Sequence, residues 1–208
     1  FTPMPNRKTD TNHLDFFNAA HEYPEASYGR RLEIEAAHRN YARGMLWFLG
    51  HDERVPQHLR EEMLRWGYAA DEFTDTDNFP NHLYVREARR MVGEYVMTMK
   101  NVVRDGREPA PRSIGLGTYA LDCHFVSTVA DGGKLYREGT LRMSTPVTPY
   151  PVAYSSLIPR REECSNLLVP VCLSASHVAY GSLRMEPQYM VFGQSAATAA
   201  CLSIDSRC

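Results

Sequence analysis

The sequence predicts an α+β fold, a mixed sheet with two or three covering helices. Two charged, helix-patterned segments occupy the first third, short β-rich segments follow, and a proline-opened helix full of small residues closes the chain.

Residues 1–27 are rich in proline, asparagine and aromatics and read as irregular. From Tyr28 to Leu49, the residues Leu32, Ala36, Tyr41, Met45, Leu46 and Leu49 recur near the helical period, with Arg31, Glu35, Arg39 and Arg43 between them. That is an amphipathic helix. "VPQHLREEMLRWG" predicts a second, with Pro56 near its first turn and Gly67 as a left-handed C-cap. "RRMVGEYVMT", residues 89–98, is short, β-branched and partly alternating, which predicts a strand. Further strands are expected at Lys134 to Met143, Tyr150 to Ile158 and Leu167 to Cys172.

The stretch from Asn166 to Leu202 reads as an apolar strand, a loop of small polar residues and a helix. Pro187 suits the first helical position, where its missing N–H costs nothing. The amides of Arg184, Met185 and Glu186 then face whatever lies ahead of the helix. An electron-rich ligand edge is favoured there, because orphan donors and the helix dipole both present positive charge. Gly193, Ala196, Ala197 and Ala200 share a face further along. Glycine inside a helix costs roughly 1 kcal/mol relative to alanine, so Gly193 implies close approach of a sheet, a helix or a cofactor.

Composition fits a folded, soluble chain. With 23 basic and 25 acidic residues and 43% hydrophobic residues, nothing points to disorder or to a nucleic-acid surface. No apolar run approaches the roughly 18 residues of a membrane span. Localisation stays undetermined. Cys123, Cys164, Cys172, Cys201 and Cys208 are scattered and lack a C-x-x-C pair, which argues against a zinc site, an iron–sulfur site or a disulfide scaffold.

"NLLVPVCLSASH" followed by "GSLRMEPQYMVFGQSAATAA" resembles the C-terminal signature of a family of FAD-dependent oxidoreductases. That family is distantly similar to glutathione-reductase-type flavoproteins and to the flavin subunit of heterodisulfide reductase, and some relatives carry the label "xanthan lyase". The resemblance continues through "PYPVAYSSLIPR", "SIGLGTYALDCH", "LYVREARRMVGEYVMT" and "ADEFTDTDNFP" to "PNRKTDTN", so it covers nearly the whole chain. It implies FAD as cofactor and a small-molecule substrate. Family members begin with a strand, a glycine-rich turn and a helix that hold the pyrophosphate. Here the only such match is Gly115, Gly117 and Ala120 in "GLGTYA", whose flanks lack the required strand and helix, and it reads as an ordinary glycine loop. The expectation is therefore a middle and C-terminal piece of a longer flavoprotein, with residues 1–160 on the substrate side and 161–208 completing an FAD-binding domain whose N-terminal part lies elsewhere.

By the same resemblance the "SASH" loop lies along the flavin. His177 and Tyr180 are then candidate proton donors or acceptors, the alternative for His177 being a structural histidine that holds the loop. Ser176, Arg184, Met185, Glu186, Gly193 and Gln194 are assigned to the cofactor, with Arg184 stabilising charge on reduced flavin or pairing with Glu186. Arg86, Arg89 and Asp122 are assigned to substrate and His124 to proton transfer; a solvated, salt-bridged surface is the alternative for the arginines. No metal is expected, since Asp122 and His124 have no third and fourth ligand at compatible spacing. Lys8, Asp10 and Asn12 in "KTDTN" share a face in extended chain, for substrate contact or loop anchoring. The function implied is hydride transfer between flavin and a polar, sugar-like substrate. The competing readings are a non-catalytic saccharide- or anion-binding module, and a lyase or hydrolase using His177 or His124 as general base.

Overall fold

The computed structural model describes residues 2–10, 14–85, 89–103, 108–140 and 148–206. Strands β1 (Thr2–Met4) and β2 (Lys8–Asp10) precede helices α1 (Tyr28–His51), α2 (Gln57–Met63) and α3 (Met99–Val102). Strands β3 (Ser113–Gly117), β4 (Ser127–Asp131), β5 (Lys134–Glu138) and β6 (Tyr150–Ala153) follow, and helices α4 (His177–Leu183) and α5 (Glu186–Ser206) end the chain. The class is α+β, with the described strands in three two-stranded sheets, β1–β2, β3–β6 and β4–β5. Two compact units form, Phe1–Val85 with Ser127–Tyr136, and Arg86–Val126 with Arg137–Cys208.

In the first unit, α1 forms over the stretch with helical spacing, and Ser27 caps it by accepting the Arg30 amide at 3.3 Å. Of the predicted inward residues Tyr41, Met45, Leu46 and Leu49 are half-buried, whereas Leu32 is 66% exposed and Ile34 is buried instead. The arginines between them cover aromatic rings. Arg31 lies 5.4 Å from the Tyr23 ring centroid, and Arg39 and Arg43 lie 5.6 and 5.2 Å from that of Phe79. Phe16 stacks on Tyr41 at 4.4 Å and so lays its otherwise irregular segment along α1.

Helix α2 packs on α1 where Gly50 leaves room for Leu64. It ends at Met63, and Gly67 is not in the left-handed region, contrary to the predicted C-cap. The Leu64 amide already closes on the Arg60 carbonyl, and the Arg65 and Trp66 amides turn back onto Glu62 and Met63, so no glycine is needed. The β4–β5 hairpin turns on Gly132 and Gly133, both at positive φ as a two-residue turn requires.

Asp52 caps the C-terminus of α1 and accepts the Arg54 side chain at 2.8 and 2.9 Å and the Arg54 amide at 2.9 Å. These bonds lower its carboxyl from 3.8 to about 2. A depressed folded value stabilises the fold above the unfolded value, so this contribution is full above pH 3.8 and is lost as pH falls through about 2. A carboxyl carbon NMR titration is expected to show Asp52 ionising well below the usual aspartate value, and Asp52→Asn to remove that part of the acid limb.

The second unit holds the main core, in which Tyr150, Val152, Leu157, Leu173, Leu183 and Phe192 are almost fully enclosed. Strands β3 and β6 pair antiparallel, with Gly117 opposite Tyr150 and an irregularity between Ser113 and Leu116. "GLGTYA" therefore begins inside a strand rather than a loop. Its glycines have a packing reason: a Cβ at Gly115 would stand 2.6 Å from Val191, and one at Gly117 would strike Tyr150 and Gln188. Helix α5 lies against β3 across that glycine surface. The inward residues of α5 are Gln188, Phe192 and Ala196, four apart, while nothing lies within 4 Å of a Cβ at Gly193 and Ala197 and Ala200 are exposed. Close approach is thus made through β3, not through the predicted small-residue face of α5.

Two predicted strands are not strands. Residues 89–98 run extended, with Met91 donating to Cys172, Glu94 to Ile158 and Met97 to Ser174, but only Met97 and Ala175 form a bridge. Partners alternate between two segments, and the Gly93 amide goes to the Ser174 hydroxyl, so no continuous ladder forms. Residues 167–172 are interrupted by Pro170, which has no N–H to give a ladder. The expected strand from Tyr150 stops at Ala153 and turns into a 3₁₀ helix, Tyr154–Leu157; the one from Lys134 stops at Glu138, and residues 141–143 lie outside the described ones.

Candidate functional site

Ser174, Ala175 and Ser176 of "SASH" precede the helix as predicted, but the loop ends there: His177 already opens α4. Ser176 caps it, accepting the Ala179 amide at 3.3 Å, and Ala179, Tyr180 and Leu183 bury the inward face. A serine followed by apolar residues at helical spacing was the available signal. Ser182 donates to the Tyr119 carbonyl and bonds the Tyr150 hydroxyl at 2.6 Å, while Gly181 lies so close to the Asp122 carbonyl that a Cβ would stand 2.7 Å from it. Residues 119–122 are thereby fixed on α4.

The turn between α4 and α5 keeps two of its three predicted donors. The Arg184 amide closes α4 on the Tyr180 carbonyl at 3.0 Å, because one more residue of helix was hidden in the sequence. Among the described residues, the Met185 and Glu186 amides have no hydrogen-bond acceptor. The Met185 carbonyl accepts from Gln188 and Tyr189, which starts α5 with Pro187 in its first turn. Glu186 and Pro187 are exposed, so no side chain of the described residues caps the two amides.

The Arg184 guanidinium turns inward. It is 6% exposed and meets the Asp122 carbonyl at 3.2 Å and the Asp122 carboxylate at 3.3 Å, rather than Glu186. Tyr180 is equally internal: its hydroxyl donates to the Val171 carbonyl at 3.0 Å and bonds that of Tyr189 at 2.7 Å. Arg90, which also donates to the Ala175 carbonyl, lies 5.7 Å from the centre of its ring. His177, first residue of α4, and His124, two residues past Asp122, are half-buried.

Gln188 carries a signal that nothing in the sequence singles out. It is buried in the first turn of α5, facing Gly117 of β3, and neither its Nε2 nor its Oε1 has a hydrogen-bond partner. Such a group costs about 1–3 kcal/mol in the absence of a ligand or water. Gln188→Met is therefore expected to leave the melting temperature of the flavin-free protein unchanged or to raise it, as thermal denaturation would show.

A helix start with uncapped amides suits an electron-rich ring edge. A family model described as FAD dependent oxidoreductase matches residues 1–208. The chain belongs to that family. This oxidoreductase uses FAD as its cofactor and carries out flavin redox chemistry. No curated protein and no solved structure matches the chain.

In this FAD-dependent oxidoreductase Arg184, Met185, Glu186 and Asp122 come together past the C-terminal end of α4, whereas Ser176 and His177 stand at its N-terminal end, about 10 Å away by helical rise. Gln194 is exposed on α5, with its carbonyl accepting from Thr198, and Gly193 has open space around it. Arg89 is exposed and Arg86 lies outside the described residues. Lys8 bonds Glu72 and so anchors a loop, while Asn12 lies outside the described residues. Among the described residues no cluster of histidine, cysteine and acidic side chains could hold a metal, and no helix is long and apolar enough to cross a membrane.

Proposed function

We propose that the α4–α5 turn holds the pyrimidine edge of FAD, through the Met185 and Glu186 amides. The observation that carries this reading is the uncapped, exposed start of a 21-residue helix. Bound there, FAD would take a hydride from a substrate C–H or return one. Arg184 acts as a positioning residue in this reading: its pair with Asp122 locks the turn to residues 119–122. His177 is assigned to take up or release the substrate hydroxyl proton, with His124 as the second candidate, since Tyr180 already spends its hydroxyl on Val171 and Tyr189. The substrate assigned is a polar, sugar-like organic molecule, with the exposed Arg89 as a contact.

The strand position of Gly115 and Gly117 leaves "GLGTYA" without a pyrophosphate-binding turn, so residues 161–208 are assigned to one end of an FAD-binding domain and the pyrophosphate to another part of the polypeptide. Titration of FAD into the 208-residue chain, followed by flavin absorbance, is expected to show weak saturable binding. Absence of any saturable change would overturn the turn as a flavin site, and tight stoichiometric binding would overturn the assignment of the pyrophosphate elsewhere.

A further inference from the structure

The first unit contains a cavity of about 1640 Å³ between α1, α2, the β1–β2 turn and the loop at residues 69–80. Its walls are unusual in three respects. Five residues of the wall, Asn6, Arg7, Phe73, Asp77 and Asn78, have positive φ, out of seven non-glycine residues in that state among those described. Backbone strain of this kind persists where surrounding structure holds it, and it gathers at ligand clamps. Here the holding groups are visible: Asn78 donates to the carbonyls of Ala69, Ala70 and Glu72, and Lys8 ties the loop to β2 through Glu72.

Arg43 supplies the second feature. Its guanidinium lies 5.8 Å from the Tyr68 ring centroid and 5.2 Å from that of Phe79, so aromatic contacts fix its position. Yet it makes no hydrogen bond to any described residue; Nε is buried without a partner, and Nη2 reaches the exposed Asp77 carboxylate only at 3.8 Å. A guanidinium held by rings, with no hydrogen bond and only this long ion pair, has its two terminal nitrogens organised for a planar, bidentate acceptor, which is the geometry of a carboxylate. The third feature is an aromatic lining. Trp47 is 62% exposed and stacks on His51 at 4.8 Å, and the exposed Tyr68 and Phe73 also line the cavity.

We propose that this cavity binds a carboxylate carried on a ring, with the carboxylate on Arg43 and the ring on the aromatic lining. An acidic sugar and an aromatic acid share that chemistry. The volume exceeds the ~300–1,000 Å³ of ordinary small-molecule pockets, so the ligand extends beyond one ring. The proposal stands on the first unit alone and does not depend on the flavin assignment.

The chain has two tryptophans, Trp47 and Trp66, and both line this cavity, so intrinsic fluorescence reports on it. The flavin-free protein would be titrated with D-glucuronate, benzoate, D-glucose and inorganic phosphate. Saturable change with glucuronate or benzoate is expected, and the tighter of the two identifies the source. Arg43→Gln and Arg43→Lys are each expected to weaken it at least tenfold, with Arg30→Gln, which changes an exposed arginine that does not line the cavity, unchanged. Arg43→Lys keeps the charge and decides the matter if Arg43→Gln fails to fold by circular dichroism. Lack of saturation by either carboxylate, equal affinity for phosphate or glucose, or unchanged affinity in the Arg43 variants would overturn the proposal.

Discussion

Gly93→Ala is expected to cause the largest loss of stability among alanine substitutions at the described glycines. A Cβ at Gly93 would be driven into the Ile158 carbonyl oxygen, with the Met91 methyl at 2.9 Å on another side. Backbone cannot yield as a flexible side chain does. The Gly93 amide donates to Ser174 at 2.9 Å and the next amide, Glu94, donates to that same Ile158 carbonyl at 3.0 Å, so moving either strand of chain breaks further bonds. Overpacking of this kind costs about 1–3 kcal/mol and more where backbone is displaced, against a total of only ~5–15 kcal/mol for a typical domain. Gly29→Ala provides the contrast. It lies in α1, a Cβ there would meet nothing within 4 Å, and alanine should stabilise the helix by about 0.8–1 kcal/mol. Urea unfolding of the two variants is expected to move the midpoint in opposite directions; an unchanged midpoint for Gly93→Ala would contradict the packing described.

The largest functional effect is expected from Glu186→Pro. Residue 186 is the first of α5, where proline's fixed φ fits and no intrahelical bond is lost. The change deletes one of the two uncapped amides while leaving the helix in place. Flavin affinity should fall about tenfold, the ~1.4 kcal/mol of one hydrogen bond, with stability altered by less than ~1 kcal/mol. Because the substitution also removes a carboxylate from the positive end of the helix, Glu186→Gln is the proper control and should bind flavin as the native chain does. Absorbance titration measures the affinities and thermal denaturation the stability. Equal affinity in Glu186→Pro would mean that this amide faces nothing of consequence.

The long helices were legible because spacing and caps coincide, as at Ser27 for α1 and Pro187 for α5. What stayed hidden depended on partners distant in sequence. Nothing local shows that Arg39 and Arg43 lie on Phe79, or that Ile34 is buried where the spacing points to Leu32 and Ala36. Gly115 and Gly117 read as a loop because their reason is α5, some seventy residues later. Pro170 was a local warning against a strand at 167–172, outweighed there by its apolar neighbours. In the candidate site, Met185 and Glu186 were readable from the proline that follows them, whereas the retirement of Arg184 into α4 required knowing that α4 exists. Gln188 looked like one more polar residue of a helix, and only its burial without a partner distinguishes it.

Amide NMR of the nitrogen-15-labelled chain, titrated with FAD, tests the central claim most directly. The Met185 and Glu186 resonances are predicted to shift downfield first and furthest, as free N–H groups gain an acceptor. Binding that shifts other amides and leaves those two unmoved would contradict the placement of the flavin edge at the start of α5.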